Sequence, residues 1–451
     1  MVRHGLRVTA RNAMRNLCFK YDDRAAASRH AEPLRVDILL LCLILVGLFS
    51  TAAMGAPGGR SFAMPGRTFQ VGPNPNALAV ADLTDDGLPD IVTADRGELH
   101  DPREERPAND ELSILIAETP FDYVRQHPSL KTGTAPYAIA LANVDGLKWP
   151  DIIAVNFLAS RSRQVSVFLN LKDEGIYKPV EFKTPDTGLE YHRHHDGEGV
   201  PLFTVPGLTS VAVRDLDGDG LRDLIATGWS SDVIMIMPGH AESIFGPPRF
   251  IPADGAPRAF ALADIDGDGT QDLVVVLYAT AEIALFRGDG HGNFSFHSRF
   301  KSRGELPTTV YVQDMNLDGR PDIITSHTYS DDSIVIFYGD GPFSFPVSQE
   351  IMLGKDREVL EHEIRDIVVT DLNGDGRPDI VAACYGSASV MVLFNISADA
   401  AMQQQYHNET YTFKEGRPRA LAVADFDNDT RPDIAVALWE TNSVGLMRNV
   451  P

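Results

Sequence analysis

Seven short stretches of the chain alternate apolar with small or polar residues at a period of two. They are ALAVAD (77–82), AIALAN (138–143), SVAVRD (210–215), AFALAD (259–264), TVYVQD (309–314), DIVVTD (366–371) and ALAVAD (420–425). Each is followed after a short gap by a nearly continuous apolar run: DIVTA, DIIAV, DLIAT, DLVVV, DIITS, DIVAA or DIAVA. A third run follows in every case, from LSILIAE (112–118) to SVGLMRN (443–449), and a weaker fourth leads onward, as in FSFHSRF (294–300) and TYTFKEG (410–416). Period-two alternation rich in β-branched residues predicts strands, and the short Gly-containing gap between the first two predicts a hairpin. Each unit therefore supplies four antiparallel strands, named A to D here.

The gap between strands A and B is itself a repeat. It reads DLTDDGLPD from Asp82, NVDGLKWPD from Asn143, DLDGDGLRD from Asp215, DIDGDGTQD from Asp264, DMNLDGRPD from Asp314, DLNGDGRPD from Asp371 and DFDNDTRPD from Asp425. Successive starts lie 61, 72, 49, 50, 57 and 54 residues apart, which places the insertions in the first two units. A four-stranded sheet of this length cannot bury both faces alone, whereas seven arranged around an axis bury each face against a neighbour. The expected fold is all-β, a seven-bladed propeller of four-stranded antiparallel blades. The Ala-rich A strands suit the crowded innermost position. No strand follows SVGLMRN, and a spare one around RTFQVG (67–72) is expected to complete the seventh blade and close the ring.

The pattern D-x-[DN]-x-D-G-x-x-D between two strands, repeated seven times, resembles the FG-GAP or VCBS repeats of integrin-α-like propellers, and the resemblance covers residues 61–451. It implies Ca²⁺ held by the A–B loops on one face and a ligand met on the other. The residues give a physical reason for the ion. Carboxylates at loop positions 1, 3, 5 and 9, with the carbonyl at 7, offer hard oxygen ligands, and Gly at 6 lets the backbone turn sharply. With neither His nor Cys in the set, zinc is disfavoured.

The seven loops are not equivalent. Asp215, Asp217, Asp219 and Asp223 form a complete set, as do Asp264, Asp266, Asp268 and Asp272. The fifth (Asp314, Asn316, Asp318, Asp322) and sixth (Asp371, Asn373, Asp375, Asp379) carry Asn at position 3. The first has Thr84 beside Asp82, Asp86 and Asp90, and the seventh (Asp425, Asp427, Asp429, Asp433) has Thr430 where Gly is wanted, which predicts strain. The second, with Leu147 at position 5 and Lys148 at 6, is expected to be empty, leaving about six Ca²⁺ sites. Acidic turns without metal are the bland alternative, but turn chemistry alone does not keep four liganding positions in phase.

Charge and the chain start extend the picture. The net charge of −23 disfavours nucleic-acid binding. Residues 1–37 hold eight Lys/Arg against four Asp/Glu and precede the uncharged run ILLLCLILVGLFSTAA (38–53). This reads as a basic leader and a signal peptide or signal anchor over 1–56, with the propeller over 61–451 exported: secreted, periplasmic or at the cell surface. Beyond the leader only Cys384 remains, so the exported domain has no internal disulfide, and Cys384 is expected to be buried.

A partner surface is expected on the face opposite the acidic loops. Two insertions fall there, Arg96–Glu111 and Leu189–Gly207, and loops on a rigid scaffold are the usual home of binding. Six residues after loop position 9, five blades carry an aromatic (Phe157, Trp229, Tyr278, Tyr385, Trp439), and the other two carry Arg96 and Thr328. These rings either stack on a ligand or fill gaps between blades. The function expected is a calcium-binding adhesion or binding module for a protein or carbohydrate, with no catalytic residue assigned. The alternative is a polysaccharide lyase or hydrolase using His192, His194, His195, Glu361 or His362.

Overall fold

A computed structural model describes residues 61–97, 109–158, 164–171, 178–180, 194–195, 201–202, 207–328, 332–353, 362–397 and 403–450; of 178–180, 194–195 and 201–202 only the strand pairing is described. The expected leader, His192, Glu361 and most of the two insertions lie outside these residues. The described residues form strands and no helix, arranged as seven antiparallel blade sheets in chain order, each pairing A with B, B with C and C with D, with two further two-stranded ribbons, His194–His195 with Pro201–Leu202 and Gly239–His240 with Ile244–Phe245. Strands A are Pro75–Ala81, Pro136–Ala142, Leu208–Arg214, Pro257–Ala263, Pro307–Gln313, Ile364–Thr370 and Pro418–Ala424. Strands B are Asp90–Asp95, Asp151–Asn156, Asp223–Gly228, Asp272–Leu277, Asp322–His327, Asp379–Cys384 and Asp433–Leu438. Each strand A touches strand A of both neighbouring blades, and the first touches the seventh, so the ring is closed.

Closure follows the expected route. In blade 7, strand C (Ser443–Val450) is covered by Thr68–Gln70, in register Phe69 with Val444, and further along by Ser61–Ala63, in register Phe62 with Asn449. The start of the domain thereby supplies the outer edge of its last blade. Phe69 joins the core between blades 7 and 1, and Phe62 joins the one between blades 6 and 7.

The continuous apolar runs of strands B have a direct explanation. Every residue of every strand B is buried, because each strand faces a neighbouring blade on both sides. In blade 6, Ile380, Ala382 and Cys384 point into the core shared with blade 5, while Val381 and Ala383 point into the core shared with blade 7. Seven such inter-blade cores form the interior. Each buried Val or Ile contributes about 2 kcal/mol by removal from water. Cys384 is fully buried, as expected.

All seven strands A carry one irregularity that period-two reading does not reveal. Their pairing with strand B slips at the second residue, so that Asn76, Tyr137, Thr209, Arg258, Thr308, Arg365 and Arg419 each sit in a bulge. A bulge turns its extra side chain away from the regular alternation. Here the bulged residues all lie at the start of strand A, the end away from the acidic loops, and Asn76, Tyr137, Thr209, Thr308 and Arg419 are buried there.

Candidate metal centres and the opposite face

Loop position 9 is the fixed point of each hairpin. Asp223 is 2% exposed, and both of its oxygens accept backbone N–H groups: Leu216 at loop position 2 donates to Oδ2 (2.8 Å) and Gly239 on the chain leaving strand C donates to Oδ1 (2.6 Å). The same two bonds recur at Asp90, Asp151, Asp272, Asp322, Asp379 and Asp433. This aspartate therefore ties hairpin A–B to strand C in every blade, the second included, before any cation is considered. The sequence reading gave it only a liganding role. Where the partner on strand C is Gly, the approach is close: a Cβ on Gly288 would lie 2.0 Å from the Gln271 carbonyl oxygen.

Position 1 organises the rest of the loop. Asp215 Oδ1 accepts the N–H of Gly218 (2.7 Å) and its Oδ2 that of Gly220 (3.1 Å), and Asp219 Oδ1 accepts from Leu221 (2.7 Å). Two residues take left-handed backbone, at positions 4 and 6: Gly218 (φ 76°) and Gly220 (φ 88°) in the third loop. The seventh loop meets the same demand with Asn428 (φ 59°) and Thr430 (φ 68°), so the strain expected at Thr430 is present. The need at position 4, met by Asp85 in the first loop and Leu317 in the fifth, was not foreseen.

The side chains that remain face one another. In the third, fourth and seventh loops three carboxylates bring oxygens within 4.8 Å of one another: Asp215, Asp217 and Asp223; Asp264, Asp266 and Asp272; Asp425, Asp427 and Asp433. These acidic groups could hold a metal ion. Position 3 supplies a test of fit. Thr84 Oγ1 is buried without a hydrogen-bond partner, as a ligand awaiting a cation would be, whereas the buried Asp427 carboxylate is met by a guanidinium. Cationic side chains reach some of the loops. Arg287 pairs with Asp266 (2.6 Å) and Asp268 (3.2 Å), Arg448 with Asp427 (2.5 Å), and Lys148 reaches from the second loop to Asp85 of the first (2.5 Å). In the fifth and sixth loops the Asn316 and Asn373 amides donate to the position-5 carboxylates (both 3.2 Å). Burial pushes the position-9 carboxyls up, to about 6 at Asp90 and about 7 at Asp322 and Asp379, with like charge from the loop adding to it.

On the opposite face the five aromatics do not form an open ring. Phe157, Trp229 and Tyr278 are buried and pack in sequence, with ring centroids 5.9 and 6.1 Å apart. Tyr385 and Trp439 are half-buried, and guanidinium groups lie over them: Arg365 and Arg417 at 5.2 Å from Tyr385, Arg419 at 5.0 Å and Arg96 at 4.9 Å from Trp439. Of the two readings of these rings, filling the gaps between blades describes Phe157, Trp229 and Tyr278. Of the histidines in the alternative catalytic set, His194 and His195 belong to a two-residue strand paired with Pro201–Leu202, and His362 places Nδ1 2.9 Å from Ser387 Oγ. A cavity of about 710 Å³ lies on the acidic face between blades 2 and 3, lined by Asp145, Gly220, His240 and Glu242 among others.

Comparison with known proteins agrees with this architecture. Residues 215–275, 264–325, 314–382 and 371–436 each match the FG-GAP-like repeat, every match running from one acidic loop through the next. A search of curated proteins gave no match. Among solved structures, the chain is similar to BBS1N in complex with ARL6DN, soaked with lead (13% identity, TM-score 0.54, 85% of this chain and 96% of that one). It is also similar to a streptogramin B lyase (10% identity, TM-score 0.51, 86% and 98%). At these identities the likeness is one of fold alone.

Two outcomes follow from the local physics. Thr430→Gly relieves a left-handed β-branched residue and raises stability by about 1 kcal/mol, read as a higher melting temperature. The second concerns Asp95 and Asp366, which lie away from the loops. Burial pushes both carboxyls up to about 7, against hydrogen bonds from Ser113, Thr93 and Gly72 at Asp95 and from Leu421 and Ile367 at Asp366. The folded protein holds these protons more tightly than the unfolded chain, so their contribution is full below about pH 4 and is lost as pH rises through about 7. With calcium saturating, the melting temperature falls between pH 6 and pH 8, and Asp95→Asn flattens that slope.

Proposed function

We propose that the chain, whose residues 215–436 match the FG-GAP-like repeat, is an exported, calcium-stapled propeller that binds a protein or carbohydrate on the face opposite the acidic loops. The observation that carries the reading is the gathering of three carboxylates within 4.8 Å in each of three loops. Like charges held that close repel one another unless a cation lies among them, and a set of carboxylates with a backbone carbonyl suits Ca²⁺. Asp215, Asp217, Asp219 and Asp223, and their counterparts in loops 1, 4, 5, 6 and 7, would hold it; the second loop, with Leu147 and Lys148, would not. The ion's part is structural. It neutralises the loop and joins hairpins in a domain with a single cysteine.

The binding part of the reading rests on the division of labour between faces. One face is committed to the acidic loops, and the other holds the half-buried Tyr385 and Trp439. The same architecture serves a streptogramin B lyase, so the fold by itself does not separate binding from catalysis.

Thermal melting with added calcium, with magnesium and with chelator tests the staple. Each site filled at a hundredfold excess over its dissociation constant adds about 2.7 kcal/mol, so calcium raises the melting temperature by many degrees and magnesium does so far less. An unchanged melt on chelation would overturn the calcium reading. Glycan and protein arrays probed with calcium-loaded protein test the rest, and binding to neither class would overturn the module reading.

A further inference from the structure

Loop position 2 lies between two candidate ligand positions and is held from both of the blades that border it. In the fifth loop it is Met315, fully buried in the core shared by blades 5 and 6; in the sixth it is Leu372, fully buried in the core shared by blades 6 and 7. Its N–H goes to the position-9 carboxylate of its own hairpin, Met315 to Asp322 (2.9 Å) and Leu372 to Asp379 (2.9 Å). Its carbonyl is taken by the next blade. Asn395, at the end of strand C of blade 6 (Ser389–Asn395), donates its amide to the Met315 carbonyl (3.2 Å). Asn449, on strand C of blade 7, donates to the Leu372 carbonyl (2.9 Å).

These asparagines are the very residues that the next clamp holds. The Asn395 N–H donates to Asp379 Oδ1 (2.7 Å) and the Asn449 N–H to Asp433 Oδ1 (2.7 Å), and both residues are fully buried. Hydrogen bonds therefore run without a break through three hairpins, from Asp433 by way of Asn449 and Leu372 to Asp379, and on by way of Asn395 and Met315 to Asp322. The row stops where the side chain is missing. Blade 5 has Gly339 in place of the asparagine and blade 1 has Ala117; each keeps the N–H bond to position 9 (2.8 Å in both) and has no amide to offer the loop before it. Gly239 and Gly288 do the same in blades 3 and 4, although in blade 4 the N–H of Gly292, in the turn beyond, reaches the Leu216 carbonyl (3.2 Å). Asn170 of blade 2 repeats the tie to Leu83 of the first loop (2.8 Å), but its own loop, with Leu147 and Lys148, has no cation state to pass on.

We propose that the fifth, sixth and seventh loops take up cations as a coupled row, with Asn395 and Asn449 as the positioning residues that carry the state of one loop to ligand positions 1 and 3 of the loop before it. With a cation in the sixth loop, Asp379 is fixed by the ion and by its two N–H donors together. Without one, the like charges of Asp371 and Asp375 press on Asp379 against those two bonds, and the displacement passes through Asn395 to the turn at Met315. Filling one loop therefore favours filling its tied neighbour, and by linkage the effect is reciprocal. The fourth loop, which borders the fifth on its other side, stands outside the row because blade 5 offers only Gly339. The proposal rests on the reading that the loops hold calcium.

Hydrogen-exchange mass spectrometry of the full-length, calcium-loaded protein tests the coupling, because it reads each loop separately. Asp375→Asn weakens the sixth site, and amide exchange then quickens about fivefold or more over 314–322 and 425–433 as well as over 371–379. Asp268→Asn weakens the fourth site and quickens exchange over 264–272, leaving 314–322 unchanged. Both substitutions fall on exposed residues, so the comparison stands whether or not the buried asparagines tolerate change. In Asn395→Ala the response of 314–322 to Asp375→Asn is lost while that of 425–433 remains, and in Asn449→Ala the reverse holds. Exchange that quickens in the substituted loop alone, or that quickens equally over 314–322 with Asp375→Asn and with Asp268→Asn, overturns the coupling and leaves the calcium reading standing. Loop exchange that chelation does not alter overturns the calcium reading and the coupling with it.

Discussion

One buried carboxylate per blade, accepting two backbone N–H groups, is the constraint on which the other features depend. It fastens the turn after strand A to the end of strand C, and its cost of burial is offset by two charge-assisted hydrogen bonds. With that point fixed, positions 1, 3 and 5 have little freedom. They emerge on the same face, in the same orientation, in each blade. The crowding of like charge in DLDGDGLRD is therefore imposed by the hairpin. The second loop keeps the same clamp although Leu147 and Lys148 replace the usual Asp and Gly and its position 6 is not left-handed: Asp151 makes both bonds there.

The loops differ in how their charge is balanced. Where arginine or lysine is near, it lies on the carboxylates, as Arg287 does on Asp266 and Arg448 on Asp427. Among the described residues, the third loop holds its three close carboxylates with no such ion pair. A divalent ion and a guanidinium compete for the same oxygens, and that competition distinguishes seven otherwise similar turns. At the opposite end, where the A strands begin, arginines lie over the aromatic rings that follow strand B.

Much of the fold was legible because a propeller blade is nearly pure pattern. Alternation in ALAVAD, unbroken burial in DIVAA and a spare strand at Thr68–Gln70 suffice to number the blades and close the ring. What escaped did so for specific physical reasons. A bulge inserts a residue without changing composition, so Arg258 and Arg419 looked like ordinary strand starts; the one signal was the break in phase between Pro257 and Ala259 and between Pro418 and Ala420. The aromatics after strand B were visible as a series, but a one-dimensional series does not say whether rings point outward or into the gaps between blades. Left-handed backbone at position 4 was hidden because Asp, Asn and Leu fill it as well as Gly. The second role of position 9 was hidden because liganding and clamping demand the same residue.

The central claim is that the acidic hairpins are oxygen cages for calcium. Native mass spectrometry of protein purified in calcium and then desalted counts the ions directly. The account predicts about six per chain, falling by one in Asp217→Ala and unchanged in Asp145→Ala on the second loop. A mass equal to that of the bare polypeptide, or an ion lost with Asp145, would contradict it.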